Sequence, residues 1–193
     1  KVLKEHKVTR ISVNPQTMNQ KTLDLIGRKH TVEETKQAFS MAREAGHDNI
    51  NMDLIIGLPE EDIDDVRSTM EQVRELAPDS VTVHSLAIKR AARLNIFKER
   101  YANLKIQNTQ EMIDLTAKYA REMGLEPYYL YRQKGTLQNL ENIGWAKPGF
   151  ECLYNIYIME EVHTILSAGA GGSTKLVIPG QRRGKIERIF NFK

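Results

Sequence analysis

Short apolar runs alternate with longer amphipathic segments through the first half of the chain. Runs rich in β-branched residues occupy positions 8–13, 50–56 and 80–87, and each is bounded by a turn that contains Pro or Gly. Apolar runs bounded by turn residues in this way predict three strands. The spacing between successive runs leaves room for a helix in each connection.

Both connections carry helix signals. Thr31 and Glu34 have the spacing of a capping box, and the apolar stripe that follows ends at Gly46. In the second connection, apolar residues recur every three or four positions from Ile63 to Leu76. Alternation of strand and helix is typical of parallel βαβ units, in which ligands bind beyond the carboxyl ends of the strands. We therefore expect functional residues in the loops that follow the strands.

The pattern changes after residue 90. A helix is indicated near 108–124, and aromatic or β-branched runs follow at 127–131, 153–159 and 162–168. We predict an α/β protein with βα units of an open parallel sheet at 1–90 and a smaller α+β appendage at 91–193. Because three βα units neither close a barrel nor cover a sheet, we expect further strands upstream.

The composition is that of an ordinary globular protein, since 40% of the 193 residues are hydrophobic and 27% are charged. The net charge of +3 is too small to indicate a nucleic-acid or membrane partner. Cys152 is the only cysteine, so the chain cannot form an internal disulfide or hold an iron–sulfur cluster by itself. We expect a reducing, cytoplasmic location.

Two charged residues near the strand ends are candidates for binding. Asp53 lies inside an otherwise apolar strand, where a carboxylate needs a partner such as a ligand hydroxyl, an amine or an Arg. The alternative is that Asp53 caps a neighbouring loop through backbone N–H groups. Arg28 carries a planar fork that suits a carboxylate, although a surface salt bridge explains it as well.

Three later segments have both a functional and a structural interpretation. The small residues from Gly169 to Ser173 would let backbone N–H groups approach an anion or nucleotide, or form a plain loop. Tyr128, Tyr129, Tyr131 and Arg132 would line a pocket for a flat, carboxylated ligand, or pack in the core. The basic residues Arg182, Arg183, Lys185 and Arg188 suit a polycarboxylate, or form a solvated face.

Several ordered motifs together resemble one family. The segments RISVNPQTMNQKTLDLIGRKHT and NINMDLIIGLPEED resemble the radical S-adenosylmethionine (SAM) enzymes known as oxygen-independent coproporphyrinogen III oxidases, or coproporphyrinogen dehydrogenases. The resemblance continues through SVTVHSLAIKR, EPYYLYRQK, ECLYNIYIMEE and SAGAGGSTK, and so covers nearly the whole chain. It implies the C-terminal part of a partial (β/α)6 barrel with an appendage that covers the substrate.

The resemblance also implies roles for individual residues. Gln16 and Arg28 would contact polar groups of SAM, Asp53 the ribose hydroxyls, and the backbones of Ile55 and Ala87 the adenine. The residues Gly169, Ala170, Gly171 and Ser173 would form a loop that approaches the cofactor. Arg132 and Arg182 are candidates for binding carboxylates of the substrate. No catalytic residue is assigned.

The family's CxxxCxxC motif, which holds a [4Fe-4S] cluster, does not occur in this sequence. We therefore expect these residues to be part of a longer enzyme and to be inactive alone. The implied reaction begins with reductive cleavage of SAM, which requires an electron donor. Hydrogen abstraction from two propionates of a porphyrinogen and loss of carbon dioxide then give protoporphyrinogen IX. A haem chaperone of the same family and a radical SAM haem-degrading methyltransferase are the alternatives.

Overall fold

A computed structural model describes residues 2–86, 104–131, 141–178 and 185–191. The chain divides into two compact units, Lys1–Glu151 and Cys152–Lys193. The first unit contains α1 (Val2–Glu5), β1 (Ile11–Ser12), α2 (Gln20–Ile26), α3 (Val32–Glu44), β2 (Ile50–Ile56), α4 (Ile63–Leu76), β3 (Ser80–Ser85), α5 (Gln110–Glu122), β4 (Glu126–Tyr131) and β5 (Asn142–Ala146). The second contains α6 (Leu153–Glu160), β6 (Ser173–Ile178) and β7 (Lys185–Phe190).

Five strands of the first unit form one sheet in the order β1-β2-β3-β5-β4. The pairs β1–β2 and β2–β3 are parallel, as the βαβ pattern predicts. All three predicted strands are present, although β1 is only two residues long. Strand β5 runs antiparallel to both of its neighbours, β3 and β4.

The helices begin where the sequence places their caps. Thr31 caps α3 in a capping box with Glu34, which confirms the prediction from their spacing. Asp62 forms a second capping box with Asp65 at the start of α4. The helix predicted near 108–124 is α5, and the hydroxyl of Thr109 accepts a hydrogen bond at its N-terminus.

The sheet has one apolar face and one polar face. Alternate residues of β2 from Ile50 to Ile56 are buried in the hydrophobic core together with Met70 of α4 and Ala120 of α5. Because successive side chains of a strand point to opposite faces, the intervening residues of β2 lie on the other face. That face carries the polar residues of the strand.

The sheet continues beyond residue 90, because β4 and β5 extend it past β3. The ion pairs of Asp79 stabilise this end of the sheet: Arg43 Nη1 lies 2.6 Å from Asp79 Oδ2, and Lys147 Nζ lies 2.8 Å from Oδ1. The compact first unit ends at Glu151 and includes these two strands. The assignment of residues 91–193 to a substrate-covering region stays a prediction.

The second unit consists of one helix and one hairpin. The run at 153–159 forms α6, and β6 pairs with β7 in an antiparallel hairpin. Lys175 of β6 is buried, and its ammonium group donates hydrogen bonds to the Ile158 carbonyl and to Glu161 Oε1 at 3.0 and 2.8 Å. Among the described residues of both units, no helix is long and apolar enough to cross a membrane.

Candidate functional site

The polar face of the sheet brings Asp53 together with residues from two neighbouring strands. Asp53 is in register with Thr82, and Ile55 is in register with His84. Register partners in parallel strands lie on the same face, so Asp53, Ile55, Thr82 and His84 share one surface. Asp53 is the fourth of the seven residues of β2, so it lies inside the strand, and Thr82 and His84 give this surface its polar groups.

Asn51 supplies the hydrogen bond that orients Asp53. The Asn51 side-chain amide Nδ2 donates to Asp53 Oδ1 at 2.7 Å, and Asn51 Oδ1 accepts a hydrogen bond from Thr82 at 3.2 Å. Within the described part of the chain, no other group donates a hydrogen bond to the Asp53 carboxylate. Its second oxygen, Oδ2, can therefore accept a hydrogen bond from a ligand hydroxyl, and no loop-capping hydrogen bond uses it.

Gln16 is attached directly to the same strand. Its backbone N–H donates to the Asp53 carbonyl at 3.1 Å, and its carbonyl accepts from the Ile55 N–H at 2.8 Å. Gln16 has a φ of 73°, in the left-handed region that non-glycine residues rarely adopt. These contacts place three of the predicted cofactor-binding residues, Gln16, Asp53 and Ile55, next to one another.

Arg28 is exposed and lies just after α2, in the loop between α2 and α3. Its guanidinium forms no hydrogen bond or ion pair with any residue that the structure describes. The loop is connected to the segment before Gln16, because His30 Nε2 donates to the Pro15 carbonyl at 3.2 Å. Arg28 thus extends from a loop that is attached to the first strand end, and its fork is available to a carboxylate.

His84 is the titratable neighbour of Asp53. Burial lowers the pKa of the His84 imidazole below its ordinary value of 6.5, and the nearby Asp53 carboxylate partly opposes this effect. At neutral pH the imidazole is therefore neutral and can both donate and accept a hydrogen bond. The neutral His84 imidazole thus adds a polar group beside the Asp53 carboxylate and no positive charge.

The remaining predicted residues divide between two places. Ala87, Arg132 and Arg182 lie outside the described residues. Gly169, Ala170, Gly171 and Ser173 are exposed in the second unit, in and beside a turn whose Gly169 and Gly171 have φ of 91° and 73°. Asn191 fixes this turn by donating hydrogen bonds from its amide to the Ser167 and Gly169 carbonyls, each at 2.9 Å. The role of this turn in cofactor binding stays a prediction.

The tyrosine cluster packs onto the sheet. The rings of Tyr128 and Tyr129 meet edge to face with centroids 4.9 Å apart. Tyr129 is in register with Gly144, and a β-carbon at Gly144 would collide with the Tyr129 ring. Tyr131 is exposed at the end of β4. Packing thus accounts for Tyr129.

The donor sets for the two cofactor components differ. The acceptor oxygens of Asp53, the amide of Gln16 and the fork of Arg28 fit the hydroxyl, amino and carboxylate groups of SAM. An iron–sulfur cluster does not fit this chain, because three thiolates are needed and the sequence contains one cysteine. No group of three His, Cys, Asp or Glu side chains that could hold a metal ion occurs in the described ranges.

Sequence reasoning missed three residues around the site. Asn51 and His84 were not selected, although the polar positions at every second residue of β2 and β3 could have identified them. Glu61 appears in the sequence as one of three acidic residues before α4, but the structure buries it, with 4% of its surface exposed. No local pattern distinguishes this glutamate from its exposed neighbour Glu60.

Comparisons with known proteins identify a related family and a related fold. The family model for the radical SAM superfamily matches residues 1–73, which include Gln16, Arg28, Asp53 and Ile55. The crystal structure of the Escherichia coli coproporphyrinogen III oxidase HemN, a radical SAM enzyme, has the same fold over 89% of this chain and 40% of that chain, with a TM-score of 0.63 and 20% identity. Residues 1–73 of the chain thus belong to the radical SAM superfamily.

Within this superfamily, the chain is similar both to an oxygen-independent coproporphyrinogen-III oxidase-like protein and to a heme chaperone. It is 44% identical to the oxygen-independent coproporphyrinogen-III oxidase-like protein HemZ of Bacillus subtilis, over 100% of this chain and 38% of that protein. It is 28% identical to the heme chaperone HemW of the same organism, over 98% of this chain and 48% of that protein. The chain thus spans less than half the length of either relative.

Proposed function

We propose that the protein containing this chain is an oxygen-independent coproporphyrinogen III oxidase, and that residues 14–55 form part of its SAM site. The observation that carries the proposal is the 44% identity, along the whole chain, to an oxidase-like relative. The polar surface around Asp53 supports it, because a half-buried carboxylate with one uncommitted oxygen suits a ligand hydroxyl.

Each residue of the site has a distinct binding task in this proposal. Asp53 accepts hydrogen bonds from the ribose hydroxyls, while Asn51 holds its other oxygen in place. Gln16 presents its side-chain amide beside the strand end, and Arg28 pairs with the carboxylate of the methionine part of SAM. Ile55 and Ala87 provide backbone groups for the adenine. SAM, when bound and reduced, supplies the hydrogen-abstracting chemistry, and the cluster that reduces it is held by residues outside this chain.

The substrate part of the proposal rests on charge. A porphyrinogen with propionate side chains presents several carboxylates, and Arg132 and Arg182 are proposed to bind those that do not react. The reaction also needs an electron donor, which we propose as a partner. Wild-type affinity for coproporphyrinogen after Arg132→Ala and Arg182→Ala would contradict this assignment of the two arginines.

A second candidate function is haem binding and delivery without decarboxylation. The observation that favours it is the match to a heme chaperone over 98% of this chain. In this case, the residues around Asp53 would bind SAM in the same way, and only the tetrapyrrole and its fate would differ. A haem-degrading methyltransferase has no such observation in its favour.

The test uses the full-length protein, reconstituted without oxygen and supplied with a reductant, SAM and coproporphyrinogen III. Mass spectrometry then follows 5'-deoxyadenosine and the porphyrin products. We expect loss of two carboxyl groups from the substrate, and no such product from Asp53→Ala. Asp48→Ala, which removes an exposed carboxylate before β2, is the matched control and should retain activity.

Two other results would overturn the proposed oxidase. Bound haem without any decarboxylated product would assign the protein to the chaperones. A methylated, ring-opened product would assign it to the haem-degrading methyltransferases. In either case the SAM site itself would be judged separately, by the effect of Asp53→Ala on SAM binding.

A further inference from the structure

Glu61 is a buried carboxylate that the proposed SAM contacts leave without a role. It lies in the loop between β2 and α4, with 4% of its surface exposed. Burial raises the pKa of the Glu61 carboxyl above its ordinary value of 4.5, the hydroxyls of Thr17 and Thr22 lower it, and Asp65 and Asp62 raise it further. Burying a carboxylate is costly unless hydrogen bonds compensate it.

A chain of hydrogen bonds leads from Glu61 to the loop after β1. The Thr17 hydroxyl donates to Glu61 Oε1 at 2.7 Å. Because that hydroxyl has one proton, the Thr69 hydroxyl is the donor in the 3.2 Å contact between Thr17 and Thr69. Thr17 accepts a second hydrogen bond from the Asn19 N–H, and Thr69 accepts one from the Met18 N–H, both at 3.2 Å. Glu61 therefore sets the direction in which the Thr17 and Thr69 hydroxyls donate, and the two backbone N–H groups complete the network.

The network begins at the residue that follows Gln16. Gln16 has left-handed backbone geometry, which non-glycine residues rarely adopt. On one side, the backbone of Gln16 is hydrogen-bonded to Asp53 and Ile55 of β2. On the other side, the chain is held by Thr17, which is 1% exposed and bonded to Glu61. The strained conformation persists because both sides are fixed.

We propose that Glu61 is a positioning residue, which holds the Gln16 loop through the Thr17 hydroxyl in the conformation that presents Gln16 to SAM. This inference rests on the proposed function, because it takes Gln16 to be a SAM contact. Glu61 touches neither SAM nor the reacting atoms. The Thr17 hydroxyl contacts both the Glu61 carboxylate and the Thr69 hydroxyl of α4, so Thr17 joins the loop after β1 to α4 and to the loop before it.

The test compares four variants of the full-length protein: Glu61→Ala, Glu61→Gln, Thr17→Val and Gln16→Ala. Two quantities are measured, the Kd for SAM by anaerobic calorimetry and the amide hydrogen exchange of residues 16–20 by mass spectrometry. We expect Glu61→Ala and Thr17→Val to weaken SAM binding about tenfold, the lower end of what losing a supporting partner costs at metal sites. Both variants should also speed exchange at 16–20.

Glu61→Gln separates positioning from simple loss of stability. The glutamine amide oxygen still accepts the Thr17 hydrogen bond, so SAM affinity and exchange should stay near those of the wild type. Asp79→Asn is the stability control, since it removes charge at the opposite end of β2, where Asp79 Oδ2 accepts a hydrogen bond from Ile50 N–H. Asp79→Asn should lower stability without changing the Kd for SAM or the amide exchange of residues 16–20.

The failure of this inference is distinguishable from failure of the proposed function. If Gln16→Ala weakens SAM binding while Glu61→Ala and Thr17→Val leave both measurements unchanged, the positioning role is overturned and the SAM site stands. If Gln16→Ala binds SAM like the wild type, the proposed contact is overturned, and the role of Glu61 with it. Should Glu61→Ala not fold, Thr17→Val decides the same question, because it removes only one hydroxyl.

Discussion

Asn51 holds Asp53 from two residues away on the same strand, through a 2.7 Å hydrogen bond from its amide to Asp53 Oδ1. Both residues are on the polar face of β2, and Asn51 is itself tied to β3 through the hydroxyl of Thr82 at 3.2 Å. The carboxylate is therefore oriented by the sheet before a ligand arrives. Pre-ordering of this kind reduces the free energy that binding must spend on fixing a side chain.

Asn51→Ala tests this orientation. We expect SAM affinity to fall about tenfold, since a hydrogen bond to a charged group contributes about 1.5 kcal/mol. The loss should be smaller than that of Asp53→Ala, which removes the contact itself. Thr82→Val is the matched control, because it breaks the bond to Asn51 and leaves the bond to Asp53. The measurement is anaerobic calorimetry, and equal affinities for Asn51→Ala and wild type would contradict the role.

Glu61→Gln should change how stability depends on pH. The folded-state pKa of Glu61 is raised above 4.5, so the folded protein holds a proton that the unfolded chain releases, and wild-type stability falls as pH rises through this window. Glutamine does not titrate. The free energy of unfolding of Glu61→Gln, relative to wild type, should therefore increase as pH rises above about 4.5.

Urea unfolding at a series of pH values measures this difference. Glu75→Gln makes the same substitution at an exposed glutamate on α4 and serves as the control. A Glu61→Gln curve parallel to the wild-type curve would show that the carboxyl is not buried as described.

Asp79→Asn should destabilise the first unit by about 2 kcal/mol at neutral pH. The substitution removes the charge of a buried carboxylate that pairs with two partly exposed residues, Arg43 and Lys147. Burial raises the pKa of Asp79, but hydrogen bonds from Arg43, Lys147 and the Ile50 N–H outweigh it and lower the pKa below 3.8. The stabilisation is thus present above 3.8 and is lost as pH falls through the lowered pKa.

Urea unfolding at neutral and acidic pH checks this expectation. Asp64→Asn removes an exposed carboxylate that pairs with Arg67 at 3.6 Å, and it should change stability by less than about 1 kcal/mol. If the two variants lost equal stability, the ion pairs of Asp79 would have no special weight.

Gly57→Ala should be more damaging than Gly124→Ala. Both glycines have left-handed backbone geometry, with φ of 83° and 71°, so both substitutions cost about 1 kcal/mol of backbone strain. A β-carbon at Gly57 would also lie 2.7 Å from Cβ of the buried Asn108, whereas nothing lies within 4 Å at Gly124. Thermal unfolding measures the stability of both variants. The stability that Gly57→Ala loses beyond the loss in Gly124→Ala reports the packing of Asn108 on the loop after β2.

The sequence predicted those features that are decided locally. Strand β2 has the predicted bounds, and the capping box at Thr31 follows from two residues three positions apart. The antiparallel strand β5 was not predicted, because its pairing with β3 depends on contacts between residues more than fifty positions apart. The register that joins Asp53, Thr82 and Gly144 is likewise a property of the assembled sheet.

The candidate site was predicted only in part, because some of its features are local in the sequence and others depend on the assembled fold. The motif around Gln16 and the polar position of Asp53 are visible in the sequence, and the structure brings these two residues together through backbone hydrogen bonds. The support from Glu61 was not visible, because burial of a carboxylate depends on which element covers it. Arg28 was visible by its chemistry, but only the contact between His30 and Pro15 shows how its loop is held.

The strand order has a consequence for synthesis of the protein on the ribosome. Strand β3 ends at Ser85, and its antiparallel neighbour β5 begins 57 residues later, at Asn142. At about 5–20 residues per second, translation leaves one edge of β3 without this partner for roughly 3–11 s. An unpaired strand edge is a template for wrong pairing with other chains. This interval is thus a period in which the nascent chain benefits most from a chaperone.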